Sequence, residues 1–464
     1  MIPLTLASII EATGGTVLGG LAKPDLFSGV SIDSREIPSG CLFIAVRGER
    51  FDAHDFLPQV AAAGAGAAII DRPDLAKGLT IPCIIVPDTR KALGCLASHV
   101  RRRLSSRVIA IGGSNGKTTT KHLVGSVLAS AMRGTQSPKS FNNDIGVPLT
   151  LLGVAPADDY VVLELGTNHP GELAPLSMMA MPHIAAITSI GPEHLEGFGD
   201  LAGVRREELT LLDGLVPEGL CIASADDAEL PTLARLRARR VITFGFAPDS
   251  DLRIREVDCT LEGIRFRIAG SDEEFSLPLP GRHNAANALV AIAIGREMGL
   301  CDAAIRQALA SCSRPEMRMQ VMRLGQYTIL NDAYNANPAS MLAALETIAS
   351  AQVPGRRIAV LGDMRELGAQ SSALHCQIGT AAAGSSLAIL LTVGVDAEHI
   401  AEAAIAAGMS ADTVIRATDA VQAAKLLTPM LRPSDTILLK GSRGMRMERI
   451  VSSLAEMAPL PDAH

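Results

Sequence analysis

The stretch RVIAIGGSNGKTTTKHLV, residues 107–124, decides the fold of this chain. Val108, Ile109, Ala110 and Ile111 form an apolar, partly β-branched run that reads as a buried strand. A glycine turn follows, and then Leu123, Val124, Val127 and Leu128 recur at helical spacing. Strand, tight turn and helix N-terminus together aim backbone N–H groups and the helix dipole at phosphate oxygens. The general phosphate loop is G-x-x-x-x-G-K-[ST]. Here Ile111 stands at its first glycine, and Gly113-x-x-Gly116-Lys117-Thr118 carries the pattern, with Gly112 as an extra. Gly112, Gly113, Ser114, Asn115, Gly116, Lys117, Thr118 and Thr119 are therefore the candidate nucleotide-binding residues. Lys117 can reach the β- and γ-phosphates, and Thr118 can ligate Mg²⁺.

Outward from this loop, YVVLEL (160–165) and HIAAIT (183–188) read as further buried strands of the same sheet. In a parallel sheet the strand C-termini converge on one edge, where ligands bind. Glu164 ends one such strand and is a candidate metal ligand, since Mg²⁺ takes hard oxygen donors. His194 follows the next strand and is a second candidate.

Before the loop, MIPLTLASIIEATGG reads as an amphipathic helix stopped by Gly14 and Gly15, followed by short apolar runs at CLFIAV (41–46) and AAII (67–70). Near the C-terminus YTIL (327–330), RIAVLG (357–362), LAILLTVG (387–394) and DTILLKG (435–441) alternate with helices, one of them beginning after Pro338. Such alternation predicts a parallel sheet with right-handed crossovers. Two segments read as joints, VRRRLSSR (100–107) and SCSRPEMR (311–318).

At 464 residues the length suggests roughly three domains. With 48% hydrophobic and 20% charged residues the composition is globular. The net charge of −7, without a basic run, weighs against nucleic acid as a partner. The eight cysteines form no C-x-x-C pair and no Cys/His cluster of zinc spacing, which fits reduced thiols in a cytosolic protein. The N-terminus lacks the basic region of a signal peptide, and no apolar stretch is long enough to span a bilayer. A soluble, cytoplasmic protein is expected.

Several blocks carry a family resemblance. SNGKTTTK (114–121), ELGTN (164–168) and EHLEGFG (193–199) together resemble the Mur ligases, the ATP-dependent ligases of peptidoglycan precursor synthesis. DSR (33–35) and RGERFDAHDF (47–56) look like the uridine-nucleotide domain of that family. SFNNDIGVPLTLL (140–152), GRHNAANALVA (281–291), NDAYNANPASM (331–341), LGDMRELG (361–368) and KGSR (440–443) look like one branch of it. That branch joins D-Ala-D-Ala to UDP-N-acetylmuramoyl-tripeptide (UDP-MurNAc-tripeptide).

The resemblance implies an α/β fold of three domains. These are a small N-terminal α/β unit that binds the UDP substrate (1–104), a central P-loop-type mononucleotide-binding parallel-sheet domain (105–313) and a C-terminal Rossmann-like α/β domain (314–464). It implies ATP and Mg²⁺ as cofactors, an acyl-phosphate intermediate and a monomer. Lys117, Glu164, His194 and Arg318 would be the catalytic residues. Thr118 and Glu164 would hold one Mg²⁺, and His194 a second. Asn287 would contact adenine with Asn284 behind it, and Arg318 and Asp332 would reach the ATP phosphate and ribose. Asn335, Asn337, Lys440 and Ser442 are candidates for the dipeptide side, Ser34 and Arg35 for the UDP side, and Asn142 and Asn143 for substrate contact.

Two departures stand out. Met317 precedes Arg318 where the family usually has glycine. Glu208 stands where several members carry a carbamylated lysine that helps hold the second Mg²⁺. A carboxylate on a shorter arm could replace the carbamate as a hard oxygen ligand. The alternative is that RREE (205–208) is a solvated helix face. Within the family the alternative is a ligase that adds a single amino acid; outside it, the loop would suit an NTPase that drives movement, or a nucleotide-binding module without catalysis.

Overall fold

The computed structural model describes residues 2–19, 26–48 and 51–457, so Glu49 and Arg50 of the 47–56 block lie outside the described residues. Three main sheets follow one another along the chain. The first orders its strands Thr16–Leu18, Cys83–Ile85, Ala67–Ile70, Leu42–Ile44 and Val30–Ser31, parallel except for the first pair. A short antiparallel pair, Leu4–Thr5 with Leu26–Phe27, stands beside it. The N-terminal helix is Leu6–Thr13. Thr5 and Ser8 cap it reciprocally, and Gly14 ends it at φ 67°.

The central sheet has nine strands. The P-loop strand Arg107–Gly112 lies between Tyr160–Glu164 and Ile184–Ile187, parallel to both. Gly134–Gln136 extends one side, and Leu220–Ser224, Arg240–Gly245 and Leu252–Cys259 extend the other, all parallel. The chain therefore reverses its direction of growth at the P-loop strand, which opens a crevice at that strand's C-terminal end. Ile264–Ile268 and Glu274–Leu277 add an antiparallel edge that the sequence reading did not foresee. Arg265–Asp258 at 2.9 Å is one of its exposed cross-strand ion pairs, so its strands show no continuous apolar run.

The third sheet orders Gln320–Leu324, Tyr327–Asp332, Thr436–Lys440, Arg357–Gly362, Ile389–Val393 and Val414–Ala417. It is parallel apart from the opening hairpin. Pro338 occupies the first turn of helix Pro338–Ser350, and Asn337 and Ser340 cap it reciprocally. Among the described residues no helix is long and apolar enough to cross a membrane.

Segment 100–107 is not an open linker. One apolar core runs from Ile2 and Leu4 through Val100 and Leu104 to Leu163, Leu211 and Ala234. Arg101 is 5% exposed, and its Nε and Nη2 donate to the carbonyls of Ala180 and Met181, each at 2.6 Å. The guanidinium thus closes the C-terminal end of helix Leu173–Ala180 from the first unit. Replacing Arg101 by Met leaves the buried Ala180 carbonyl and the half-buried Met181 carbonyl without this partner. The expected loss, read by denaturant unfolding, is about 2–3 kcal/mol.

Candidate functional site

The P-loop closes tightly on its neighbours. Gly116 has φ 87°, and a Cβ there would lie 2.3 Å from Asn287 Oδ1. At Gly113, φ 110°, a Cβ would lie 2.3 Å from Thr188 Oγ1. Glycine is required at both positions by backbone and by space. The first amides of the loop are engaged by protein. Gly113 N donates to Glu208 Oε2 (2.6 Å), Ser114 N to Ser189 O (2.9 Å) and Asn115 N to Ser189 Oγ (2.9 Å). Among the described residues no protein group accepts from the amides of Gly116, Lys117 or Thr118. These donors at the start of helix Lys117–Ala129 are the anion cradle. Lys117 Nζ is folded back onto the carbonyls of Gly113 (2.5 Å) and Ser114 (3.2 Å), with Glu193 Oε1 at 3.8 Å. Burial opposes its charge, but Glu193, Glu208 and Glu164 outweigh that and raise its pKa.

Thr118 joins the central unit to the third. Its hydroxyl donates to Glu164 Oε1 at 3.0 Å and accepts from Arg318 Nη2 at 2.8 Å. Asn142 Nδ2 donates to the same Glu164 oxygen at 3.1 Å. Glu164 is 1% exposed. Its Oε2 lies 3.0 Å from Lys121 Nζ but outside hydrogen-bond alignment, so this buried oxygen keeps an open lone pair. Lys121 also donates to the carbonyl of Lys139 and so ties down the loop that carries Asn142.

On the other side of the loop Glu193 and Glu208 are both buried. Burial pushes Glu193 up to about 8 and Glu208 up to about 7, while Lys117 pulls both down. His194 sits in the left-handed region at φ 48°, and its Nδ1 meets Glu366 of the third unit. Burial lowers its pKa, against the pull of Glu366. The cleft in front of the loop, lined by Glu193 and His194, encloses about 510 Å³ and is walled by both the central and the third unit.

Three family descriptions match in order along the chain: "Mur ligase family, catalytic domain" at 26–101, "Mur ligase middle domain" at 111–295 and "Mur ligase, glutamate ligase domain" at 317–443. The UDP-N-acetylmuramoyl-tripeptide–D-alanyl-D-alanine ligase of Escherichia coli is 39% identical, covering 98% of this chain and 99% of its own. The chain belongs to the Mur ligase family. The Bacillus subtilis ligase of the same name is 34% identical over 98% of this chain and 99% of its own. A crystal structure of MurF from Acinetobacter baumannii superposes with TM-score 0.89 at 31% identity, covering 98% of this chain and 99% of that one. MurF from Thermotoga maritima, solved with ADP, gives 0.81 at 25% identity, covering 92% and 97%.

Set against the other expected site residues of a Mur ligase, the structure gathers most but not all. Ser114 to Thr119, Glu164, His194, Asn142, Asn143, Asn284, Asn287, Arg318, Asp332, Asn335, Asn337 and Lys440 all line the cleft. Gly112 and Gly113 lie behind it, packed on Glu208 and Thr188. Asn284 and Asn287 do not cap helix His283–Glu297, whose N-cap is Arg282. Asn284 donates to Pro280 O (2.8 Å), and Asn287 donates to Asn284 Oδ1 (3.0 Å). Arg318 stacks on Tyr334, 4.2 Å from its ring centroid. Asn337 Nδ2 donates to Asn115 Oδ1 at 2.9 Å, a second bridge between units. Lys440 Nζ holds Asp332 Oδ2 at 2.5 Å and the Asn335 carbonyl at 3.1 Å. Ser442 is buried outside the cleft lining, with its Oγ accepting from Arg365 N at 2.9 Å. Ser34 and Arg35 belong to the first unit, where exposed Arg35 pairs with Asp33 of its own turn.

Two expectations change. Glu208 is 1% exposed, does not line the cleft and commits one oxygen to the Gly113 amide. Its carboxylate braces the phosphate loop from behind. The solvated-face alternative also fails, since Arg205, Glu207 and Glu208 are all buried. Glu207 accepts from Gly171 N (2.8 Å) and Leu173 N (2.9 Å) and so caps the start of helix Leu173–Ala180. Helix amphipathicity could not show this, because the partners are strand-end loops distant in sequence.

The sequence reading missed Glu193, Lys121, His283, Tyr334 and Glu366. Lys121 was the findable one. It falls one helical turn beyond Lys117, on a face that continues in Val124, Gly125 and Leu128. Met317 and Met319, which flank Arg318, have φ 53° and 48°. The glycine usual at 317 suits that left-handed backbone, and methionine is strained there.

Glu207→Ala would leave the buried Leu173 amide unpaired and take the cap from the part-buried Gly171 amide. Thermal or denaturant unfolding is expected to show a loss of about 2 kcal/mol.

Proposed function

We propose that this chain joins D-Ala-D-Ala to UDP-MurNAc-tripeptide at the expense of ATP, through an acyl phosphate. Arg318 carries the reading: it reaches from the third unit onto Thr118 of the phosphate loop at 2.8 Å. A phosphate site completed by another unit is built to gather reactants between domains, which simple nucleotide storage does not need. The relatives that span nearly the whole chain are named for this reaction. Single-residue ligases match less well. The diaminopimelate-adding ligase gives TM-score 0.54 at 18% identity, a likeness of fold alone.

A carboxylate does not condense with an amine in water, because oxide would have to leave. Transfer of the γ-phosphoryl group of ATP to the tripeptide's terminal carboxylate gives an acyl phosphate, from which phosphate can leave. The amine of the dipeptide then attacks the carbonyl carbon and the amide forms. Lys117 would exchange its loop carbonyls for the transferring phosphate, while the amides of Gly116, Lys117 and Thr118 hold phosphate oxygens. Arg318 adds a planar cation on the same side.

Among the described residues no group of three or more His, Cys, Asp and Glu assembles a ready-made metal site. This suits Mg²⁺, which takes few protein ligands and the rest from phosphate and water. The open Glu164 oxygen and the Thr118 hydroxyl fit it, with His194 on the opposite side for a second ion. When bound, Mg²⁺ would neutralise the β- and γ-phosphate charge.

Asn287 and Asn284 would face the adenine and Asp332 the ribose. Lys440, Asn335 and Asn337 would serve the dipeptide, with Ser442 holding their loop. Asn142 and Asn143 would contact substrate, and Ser34 and Arg35 would serve the uridine diphosphate. Glu208 would stand at the position of the carbamylated lysine but brace the phosphate loop rather than hold the metal. The reaction would run in the cytoplasm, on a monomer.

Phosphate release from ATP should require Mg²⁺, the UDP-linked tripeptide and D-Ala-D-Ala together. Rapid release without the dipeptide would contradict the reading and favour a plain NTPase. Lys117→Ala should lower turnover by at least about a hundredfold with the fold intact, the usual scale for a preorganised phosphate clamp. Activity should be unchanged when bicarbonate and CO₂ are removed, because Glu208 carries its own carboxylate. A bicarbonate-dependent rate would overturn the assignment of Glu208.

A further inference from the structure

The segment Asp363–Gln370 of the third unit is docked on the segment His194–Asp200 of the central unit. Glu196 N donates to Glu366 O at 3.1 Å, and Gln370 Nε2 donates to Gly199 O at 3.3 Å. Gly368, at φ 56°, approaches so closely that a Cβ would lie 3.2 Å from Glu196 Cα. Leu374 packs against the small cluster of Leu195, Phe198 and Val204. Within this contact the Glu366 carboxylate meets His194 Nδ1. Both residues hold left-handed backbone, φ 65° and 48°, a strain that the docking supports.

A carboxylate can only accept, so the imidazole Nδ1 carries the proton and Nε2 keeps its lone pair. His194 lines the cleft, and among the described residues its Nε2 has no hydrogen-bond partner. A histidine that donates one ring N–H to a carboxylate and offers the other nitrogen is the usual arrangement behind a metal-binding imidazole.

We propose that Glu366 is a positioning residue: it fixes the tautomer and direction of His194 for a divalent cation, and does so only while the third unit is docked. The inference rests on the ligase reading for the presence of that cation. It makes the 363–370 contact part of the metal site, because the third unit supplies the group that aims the imidazole. Docking and the second cation then favour one another by linkage.

The test uses the full chain with a non-hydrolysable ATP analogue and Mn²⁺, whose free concentration is read by electron paramagnetic resonance. Glu366→Ala should weaken one of two bound Mn²⁺ by about 10–100-fold, the usual effect of removing a partner behind a metal ligand. Glu366→Gln keeps an acceptor for Nδ1–H and should stay within about threefold of wild type. In turnover, Glu366→Ala should raise the half-saturating metal concentration while kcat at saturating metal stays nearly constant. Leu374→Ala loosens the same contact without touching the imidazole and should weaken the same Mn²⁺ less than Glu366→Ala does. Unchanged Mn²⁺ binding in Glu366→Ala, or a Gln variant as impaired as Ala, would overturn the inference. A kcat that falls equally at all metal concentrations would also overturn it, by showing a merely structural contact. A wild-type chain that binds a single Mn²⁺ beside the analogue would instead count against the two-cation part of the ligase reading.

Discussion

One hydroxyl ties the site together. Thr118 Oγ1 has a single proton to give and gives it to Glu164, which leaves its lone pairs to receive Arg318. Glu164 ends a strand of the central sheet, Thr118 starts the P-loop helix, and Arg318 enters from the third unit. Each can be where it is only if the other two are. The central sheet sets the first two, because the strands flanking the P-loop strand are parallel to it and the order reverses there. The third is set by a short backbone segment in which Met317 and Met319 both take left-handed angles to aim one arginine.

The charge balance of the cleft follows from that arrangement. Glu164, Glu193 and Glu208 surround Lys117, and the buried carboxylates are each held by a defined donor or cation. Such a set is costly to bury without partners, and polyphosphate with its counter-ions changes every term in it. Lys117 rests on loop carbonyls that a phosphate oxygen would replace. The loop amides split into two groups for the same reason: those of Gly113, Ser114 and Asn115 serve the scaffold, and those of Gly116, Lys117 and Thr118 face the anion.

Much of this was legible in the sequence, for a physical reason that also marks the limit. The P-loop is local, so one window of residues shows strand, turn, cation and hydroxyl at once. Glu164 could be placed because strand ends share an edge. The antiparallel edge Ile264–Leu277 was missed because its alternating charged residues mimic an irregular surface. Glu208 read as either ligand or solvated face, and Glu207 as solvated face, because nothing local shows what covers a helix. The structure covers them with the start of another helix and with the back of the phosphate loop. Glu366 meets its partner only across a domain contact, which no local pattern encodes.

The central claim is that the phosphate serves to activate a carboxylate. Oxygen transfer tests it most directly. The UDP-linked tripeptide is prepared with ¹⁸O in its terminal carboxylate, and the inorganic phosphate released on ligation to D-Ala-D-Ala is analysed by mass spectrometry. An acyl phosphate requires one carboxylate oxygen to leave with the phosphate, so each phosphate should carry one ¹⁸O. Unlabelled phosphate formed together with the amide product would contradict the account.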